Sequence, residues 1–177
     1  MYLVYVSVNI GVTVTVADVA GNTYPSTPTE QTAVQSFEQE YQVLFLVPSI
    51  KGASANTNTV KATYSGPNYF PGVAVFEYSG LNTSGQPDAL NENGNFPTTS
   101  LSISASASAS NDTYVLMVFP FSTDGEPATF TGGTTTRYAD PQGNFYLGDQ
   151  VFSSAGSHTM TATVGSTTYT AILAALR

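Results

Sequence analysis

The chain has 177 residues, of which 41% are hydrophobic but only 9% are charged, against roughly 25% charged residues in an average soluble domain. This length is enough for one domain with a sizeable core, so we predict a single domain over residues 1–177. Four dispersed cations stand against 12 carboxylates and give a net charge of −8, which excludes nucleic acid and anionic membrane surfaces as partners, because such partners require clustered Lys and Arg.

Cysteine is absent, which excludes disulfides and thiolate metal sites. The polar surface must therefore come from Ser, Thr, Asn, Gln and Gly, a composition that suits a protein outside the cell. We expect an extracellular, cell-surface or virion-surface location. The apolar residues 1–6 have no basic leader or cleavage site and are too short to cross a bilayer, so we expect no membrane insertion.

Short apolar runs and alternating apolar and polar residues recur along the chain, whereas no window has a sustained helical stripe. The pattern predicts strands at residues 2–8, 12–17, 41–47, 59–65, 73–78, 101–107, 113–121, 134–139, 145–152, 157–164 and 167–176. Gly165-Ser166 predicts a tight hairpin loop between the last two strands. About ten strands separated by Gly, Asn and Pro clusters indicate an all-β fold, a two-sheet antiparallel β-sandwich of jelly-roll or immunoglobulin-like type.

Three of these strands also indicate which faces are buried. Residues 157–164 and 101–108 alternate hydroxyl and apolar side chains, which predicts one solvent face and one core face for each strand. Residues 114–119 are apolar on both faces, which predicts either a central strand covered on both sides or a strand whose outer face meets a partner. Residues 82–99 form the longest stretch without a strand pattern, and we predict an irregular loop there with a functional or assembly role.

Catalysis is not favoured by the residue pattern. His158 is the only histidine. It lies on the predicted core-facing side of a strand, and no nucleophile-elbow motif occurs. Glu77, at the end of an apolar run, is the best candidate for a glycosidase carboxylate, since burial raises a carboxyl pKa. A matched second carboxylate is not identifiable, and Glu77 accepting hydrogen bonds from the turn after it is the favoured reading. We therefore predict a protein that is not an enzyme, with no catalytic residues.

Acidic loops at Asp124-Gly125-Glu126, residues 140–144 and residues 18–22 contain oxygen ligands of the kind that calcium prefers, but they also have the composition of ordinary turns. We expect no cofactor and keep a structural calcium ion as a minor alternative. Tyr64, Tyr69 and Phe70 flank a turn and are candidate glycan contacts through ring stacking. Rings that close the end of the fold are the favoured alternative for these three residues.

Four segments together resemble a β-sandwich module that recurs in large secreted or surface-anchored bacterial proteins. Residues 18–24 resemble its "DSAGNTY" turn, and residues 58–65 its "NTVTVTFS" strand. Residues 76–81, followed by Pro87-Asp88-Ala89, resemble its "EYSGL…PLDA" segment, and residues 153–163 its "STGSYTATAT" hairpin. The resemblance implies a lectin-like or jelly-roll-like fold of adhesin-type and phage-type surface proteins, and it implies no catalytic residue.

The module has an additional strand before the one that matches residues 2–8, and this chain begins too late to supply it. A missing edge strand leaves backbone N–H and C=O groups unpaired. One hypothesis is that a neighbouring subunit fills the gap, and the alternative is that the strand is dispensable. The first hypothesis predicts self-assembly, or packing on neighbouring β-domains, through strand edges.

The sequence thus favours a non-catalytic extracellular structural or interaction protein that acts in surface, filament or virion assembly. The first alternative is a carbohydrate-binding module that uses the aromatic residues beside the turn at residues 65–68. The second is a glycosidase that uses Glu77.

Overall fold

The computed structural model describes residues 1–33, 40–69, 71–121 and 127–177, and every regular element within these ranges is a β-strand. All strand pairs are antiparallel. The strands are β1 (Tyr2–Asn9), β2 (Val14–Asp18), β3 (Glu30–Ala33), β4 (Glu40–Val47), β5 (Val60–Tyr64), β6 (Gly72–Glu77), β7 (Ala89–Ala107), β8 (Asp112–Phe121), β9 (Thr129–Thr131), β10 (Thr135–Ala139), β11 (Tyr146–Phe152) and β12 (Gly156–Leu176). The all-β prediction is confirmed.

The chain divides into two compact units, Met1–Gly85 and Gln86–Arg177. Strands β1 to β6 belong to unit 1, and strands β7 to β12 belong to unit 2. Each unit has its own sheets and its own buried cluster of apolar side chains. The single domain over residues 1–177 stays a prediction.

Unit 1 contains a four-stranded sheet in the order β3-β4-β1-β6 and a two-stranded sheet formed by β2 and β5. Because side chains alternate along a strand, the even-numbered residues of β1 share one face and pack with β2 and β5. β-Branched valines suit such a pleated, buried surface. The cluster consists of Tyr2, Val4, Val6, Val8, Val14, Val16, Val43, Phe45 and Val47.

Unit 2 contains a sheet in the order β10-β11-β8-β12-β7, and β9 pairs with the first half of β12. Its cluster includes Leu101 and Ile103 of β7, Leu116 of β8 and Leu173 of β12. Gly148 of β11 is required by close packing, since a Cβ there would lie 2.8 Å from a ring carbon of Phe130.

The two longest strands, β7 and β12, pair with each other along most of their lengths and fold back on themselves together. The side chain of Asn91 donates to the carbonyl of Ser104 at 2.6 Å, although thirteen residues of straight strand would span roughly 40 Å. The register between β12 and β7 shifts between Thr163 and Tyr169, and such irregularities bend a strand. Both halves of the hairpin therefore contribute to one apolar cluster.

Two sequence-based predictions about this region are wrong. Gly165-Ser166 is not a hairpin loop, because β12 runs through it and both halves of β12 pair with β7. Residues 82–99 are not irregular throughout, because β7 begins at Ala89. Asn91 and Asn93 have low strand propensity, but β12 supplies their antiparallel partners, and this pairing overrides the local preference.

The predicted faces are confirmed where side chains are described. Ser102 and Ser106 are exposed while Leu101 and Ile103 are buried, and Met160 and Ala162 are buried on β12. Residues 114–118 are buried on both faces of β8, which lies between β11 and β12.

Candidate functional site

Strand β6 forms one edge of the unit 1 sheet, because among the described strands it pairs with β1 alone. Its side chains alternate between half-buried and exposed positions. Val73 and Val75 are 45% and 39% exposed, so two apolar side chains of this strand face solvent. An exposed apolar strand edge is a surface on which another strand can pair.

The hydrogen bonds at the end of β6 show which way its backbone groups point. The Met1 ammonium donates to the Tyr78 carbonyl at 2.8 Å, and the Tyr78 N–H donates to the Met1 carbonyl at 2.9 Å. Hydrogen-bonded pairs alternate with non-hydrogen-bonded pairs along an antiparallel ladder. With Leu3 opposite Phe76 and Tyr5 opposite Ala74, the even-numbered residues of β6 bond to β1.

It follows that Val73 and Val75 direct their N–H and C=O groups away from β1, towards the open edge. The same two residues carry the exposed valine side chains. The edge thus combines an apolar side-chain stripe with backbone groups that pair with no described strand, and Glu77 is the one charged residue of β6, at its end.

Unit 2 presents a contrasting surface, the hydroxyl face. Two cross-strand hydroxyl contacts are 2.6 Å long, one between Ser104 and Thr159 and one between Thr131 and Thr161. The register places hydroxyls opposite one another across β9, β12 and β7. The face consists of Thr129, Thr131, Ser157, Thr159, Thr161, Thr163, Ser100, Ser102, Ser104 and Ser106. It is polar and uncharged.

The predicted glycan contacts Tyr64 and Tyr69 differ in their exposure to solvent. Tyr69 is 78% exposed, whereas Tyr64 packs against the unit 1 cluster. Phe70 lies outside the described residues. The turn before Tyr69 is braced, because the Asn9 N–H donates to the Asn68 side chain at 2.9 Å and the Tyr69 N–H donates to the Asn9 side chain at 3.0 Å. Tyr69 thus presents an exposed ring on a braced turn, and its contact with a glycan stays a prediction.

The turn at residues 18–22 is organised around the Asp18 carboxylate. This carboxylate accepts hydrogen bonds from the backbone and side chain of Asn22, from the Tyr24 hydroxyl at 3.0 Å and from the Asn58 amide at 3.1 Å. Partial burial would raise the pKa of Asp18, but these donors outweigh it and lower the pKa to about 2. Lys51 closes the same turn by donating from Nζ to the Gly21 carbonyl.

The second acidic loop is also occupied by its own turn, since Asp140 accepts from the N–H and the side-chain amide of Asn144 at 3.0 Å each. Asp124-Gly125-Glu126 lies outside the described residues. Within the described ranges, no three His, Asp or Glu side chains converge as metal ligands. The carboxylates of Asp18 and Asp140 therefore act as acceptors for backbone and amide groups of their own loops.

The two residues considered for catalysis belong to different units. The ring of His158 stacks on Phe152 with centroids 4.2 Å apart, and its Nε2 contacts the Ser154 carbonyl at 2.7 Å. Glu77 is exposed at the end of β6, near the Met1 ammonium. The burial on which the Glu77 hypothesis depends is absent, because the side chain projects from the edge strand into solvent.

A pair of carboxyl groups that the sequence analysis did not identify lies in unit 2. Asp88 accepts from the N–H and hydroxyl of Ser108 at 2.6 Å each and from the Ala109 N–H at 2.8 Å, and it lies 3.8 Å from the Arg177 guanidinium. The side chain of Asp112 lies within hydrogen-bonding reach of Asp88. The Asp88 carboxylate, at the start of β7, thus contacts Ser108 at the end of the same strand. It also contacts Arg177 at the end of β12.

The pKa values of these two carboxyl groups are shifted in opposite directions. The hydrogen bond from Ser108 is the main cause that lowers the pKa of Asp88 to about 2, against the effect of burial. Burial, followed by the neighbouring Asp88, raises the pKa of Asp112 to about 6. Both Asp112 oxygens are buried, and no donor of the described residues bonds to them. Two ionised carboxylates have no proton to share. A hydrogen bond between Asp112 and Asp88 therefore forms only when Asp112 is protonated.

The expected gap in the sheet beside residues 2–8 is not found there. β1 is paired on both sides, with β4 and β6. The chain returns to the sheet after β5 and pairs β6 with β1, so β6 and not β1 lies at this edge of the sheet.

No protein-family model matches the chain, and no curated protein and no solved structure matches it either. In the part of the chain that the structure describes, no helix is long and apolar enough to cross a membrane.

Proposed function

We propose that this protein is a non-catalytic extracellular structural protein that assembles with copies of itself through an open strand edge. We also propose that its sheets are arranged as β-sandwich layers. The observation that carries the proposal is β6, where Val73 and Val75 present exposed side chains and outward-pointing backbone groups together. Monomeric proteins usually protect such an edge with charge, proline or a covering loop.

The hydroxyl face supports the extracellular part of the proposal. Ten Ser and Thr side chains across three strands keep this surface polar without charged groups. Such a surface stays hydrated but contributes no net charge, whereas the edge at β6 offers an apolar strand for pairing.

Sedimentation velocity over a wide range of protein concentration tests the assembly. We expect the weight-average sedimentation coefficient of the natural chain to rise with concentration. A Val73→Lys/Val75→Lys variant adds positive charge along the edge and should stay monomeric. The matched control is Val19→Lys/Val151→Lys, since these valines are 75% and 62% exposed and lie elsewhere. Equal association of both variants would contradict the role of β6.

A second candidate function, carbohydrate binding, is favoured by Tyr69. Its ring is 78% exposed on a braced turn, and an exposed aromatic ring can stack on the apolar face of a sugar. A panel of polysaccharides tests this with a Tyr69→Ala variant. Tyr138→Ala is the control, because Tyr138 is also exposed, at 41%. Binding that is lost in the first variant alone supports the candidate, and no binding by the natural chain contradicts it.

A further inference from the structure

We propose that the partner of the β6 edge is β6 of a second copy, related by a two-fold axis, with Val73 of each copy opposite Val75 of the other. This inference rests on the proposed assembly and specifies its geometry. The two four-stranded sheets would become one continuous eight-stranded sheet.

The direction of the backbone groups supports this pairing. An antiparallel pair of identical strands is symmetric about a two-fold axis, so an edge strand can serve as its own partner. The outward N–H and C=O groups belong to Val73 and Val75, as derived from the Met1–Tyr78 hydrogen bonds. These residues must therefore form the hydrogen-bonded pairs across the axis, which gives about four backbone hydrogen bonds between the copies.

Two symmetric registers satisfy this requirement within β6. In the first, Ala74 faces Ala74 of the second copy, and each Val73 faces a Val75. In the second register, Val75 faces Val75 of the second copy, and each Val73 faces a Glu77. The first register removes four exposed valine side chains from water, and opposing β-branched pairs stabilise a sheet, whereas the second places a carboxylate opposite a valine.

Charge and the start of the strand favour the same register. The two Glu77 side chains lie three residues from the axis on opposite sides, so roughly 20 Å separates them and their repulsion is screened. Residue 71 is proline, which lacks an N–H and therefore ends the new ladder beside Glu77 of the second copy. The overlap is short, since only residues 72–76 pair, so we expect reversible rather than permanent association.

Single cysteines distinguish the registers, since the natural chain has none. In the proposed register Ala74 and its symmetry mate form a non-hydrogen-bonded pair with Cα atoms about 4.5 Å apart, within the range of a disulfide. The two Val75 residues are then diagonal neighbours about 7–8 Å apart, which exceeds that range. Under mild oxidation the Ala74→Cys variant should form a covalent dimer, and the matched Val75→Cys variant should form at least about tenfold less.

A charge exchange provides a test without cysteine. Val73→Lys/Val75→Lys places lysines opposite each other and should raise the dissociation constant at least about tenfold. Val73→Lys/Val75→Glu places Lys opposite Glu in the proposed register and should restore association. In the other register it would place the two introduced glutamates opposite each other but also each introduced lysine opposite Glu77, so the cysteine variants, and not this exchange, distinguish the two registers.

The outcomes separate this inference from the proposed function. A natural chain that sediments as a monomer at all concentrations overturns both. Concentration-dependent association, combined with preferential cross-linking of Val75→Cys or with no recovery in Val73→Lys/Val75→Glu, retains self-assembly and overturns the register.

Discussion

Each unit is tied together by a carboxylate that gathers donors from distant parts of the chain, but the two carboxylates have different neighbours. In unit 1, Asp18 is surrounded by neutral donors from Asn22, Tyr24 and Asn58. In unit 2, Asp88 has an equally complete set of donors, but a second carboxyl group, Asp112, lies beside it. One network contains a single carboxylate, and the other contains a repulsive pair beside the Arg177 guanidinium.

The difference determines how each unit responds to pH. The pKa values of Asp18 and Asp88 are both lowered to about 2, so their contribution to stability is present above about pH 4 and is lost as the pH falls through about 2. The pKa of Asp112 is raised to about 6. Its contribution is present below about pH 4 and is lost as the pH rises through about 6. The Asp88–Asp112 pair should therefore make unit 2 less stable at neutral pH than at mildly acidic pH. The Asp18 network of unit 1 should have no such effect.

The largest effect is expected when Asp88 is replaced. Asp88→Ala leaves the Ser108 and Ala109 N–H groups without their acceptor and removes the Arg177 contact. We expect a loss of about 3 kcal/mol in the free energy of unfolding, measured by urea denaturation at pH 5. Asp140→Ala is the control, since that carboxylate serves one exposed turn only. Equal losses in both variants would show that Asp88 does not hold the strand ends together.

Asp18→Ala should have the next largest effect. The variant leaves the Asn22, Asn58 and Tyr24 donors without an acceptor in a partly exposed turn, where water replaces part of the bonding. We expect a loss of about 2 kcal/mol in the same measurement. Asp18→Asn retains one acceptor oxygen and should lose less. A larger loss for Asp18→Asn than for Asp18→Ala would contradict this account of the turn.

Asp112→Asn tests the repulsive pair and should act in the opposite direction. Asparagine is neutral at every pH and can donate to Asp88, so the variant should be more stable than the natural chain by about 1 kcal/mol at pH 8, a figure discounted for solvent screening. The gain should vanish below about pH 4, where Asp112 is protonated in the natural chain. The measurement is the difference in thermal midpoint between the two proteins from pH 4 to pH 8. If the difference in thermal midpoint did not change with pH, the repulsion between Asp88 and Asp112 would not be its cause.

The smallest effect is expected for Tyr24→Phe. The variant removes one of several donors to Asp18 and leaves the ring in place. We expect a loss of about 0.5–1 kcal/mol by urea denaturation at pH 7. Tyr138→Phe serves as a control for loss of a tyrosine hydroxyl in unit 2. If Tyr24→Phe matched the cost of Asp18→Ala, the network would depend on one bond and would not be shared among donors.

Much of the fold follows from alternation along single strands. The patterns at β1, β4, β6 and β8 locate these strands to within two residues, because each pattern records a pleated surface with at least one apolar face. β3, β9 and the first half of β7 are missed, since Glu30-Gln31-Thr32-Ala33 and Asn91-Glu92-Asn93 have little apolar periodicity. Their strand conformation comes from partners that are remote in sequence.

The candidate site shows the same division. Val73 and Val75 are visible in the sequence as part of a strand, but no local signal shows that this strand lies at an edge. Asp88 and Asp112 are separated by the whole of β7, and only the folding back of that strand brings them together. Sequence reasoning instead considered Glu77 and His158, which are conspicuous by residue type, and favoured a structural role for both.

By itself, the sequence determined the all-β class, the buried and exposed faces of several strands, the absence of cysteine chemistry and the low charge of the surface. These are properties of composition and of a two-residue period, and they need no knowledge of which strands are neighbours. The tertiary structure decided the order of strands in each sheet, the open edge at β6 and the contact between Asp88 and Asp112. Those features depend on pairing between residues far apart in the chain, which follows from the packing of the whole unit and not from any local pattern.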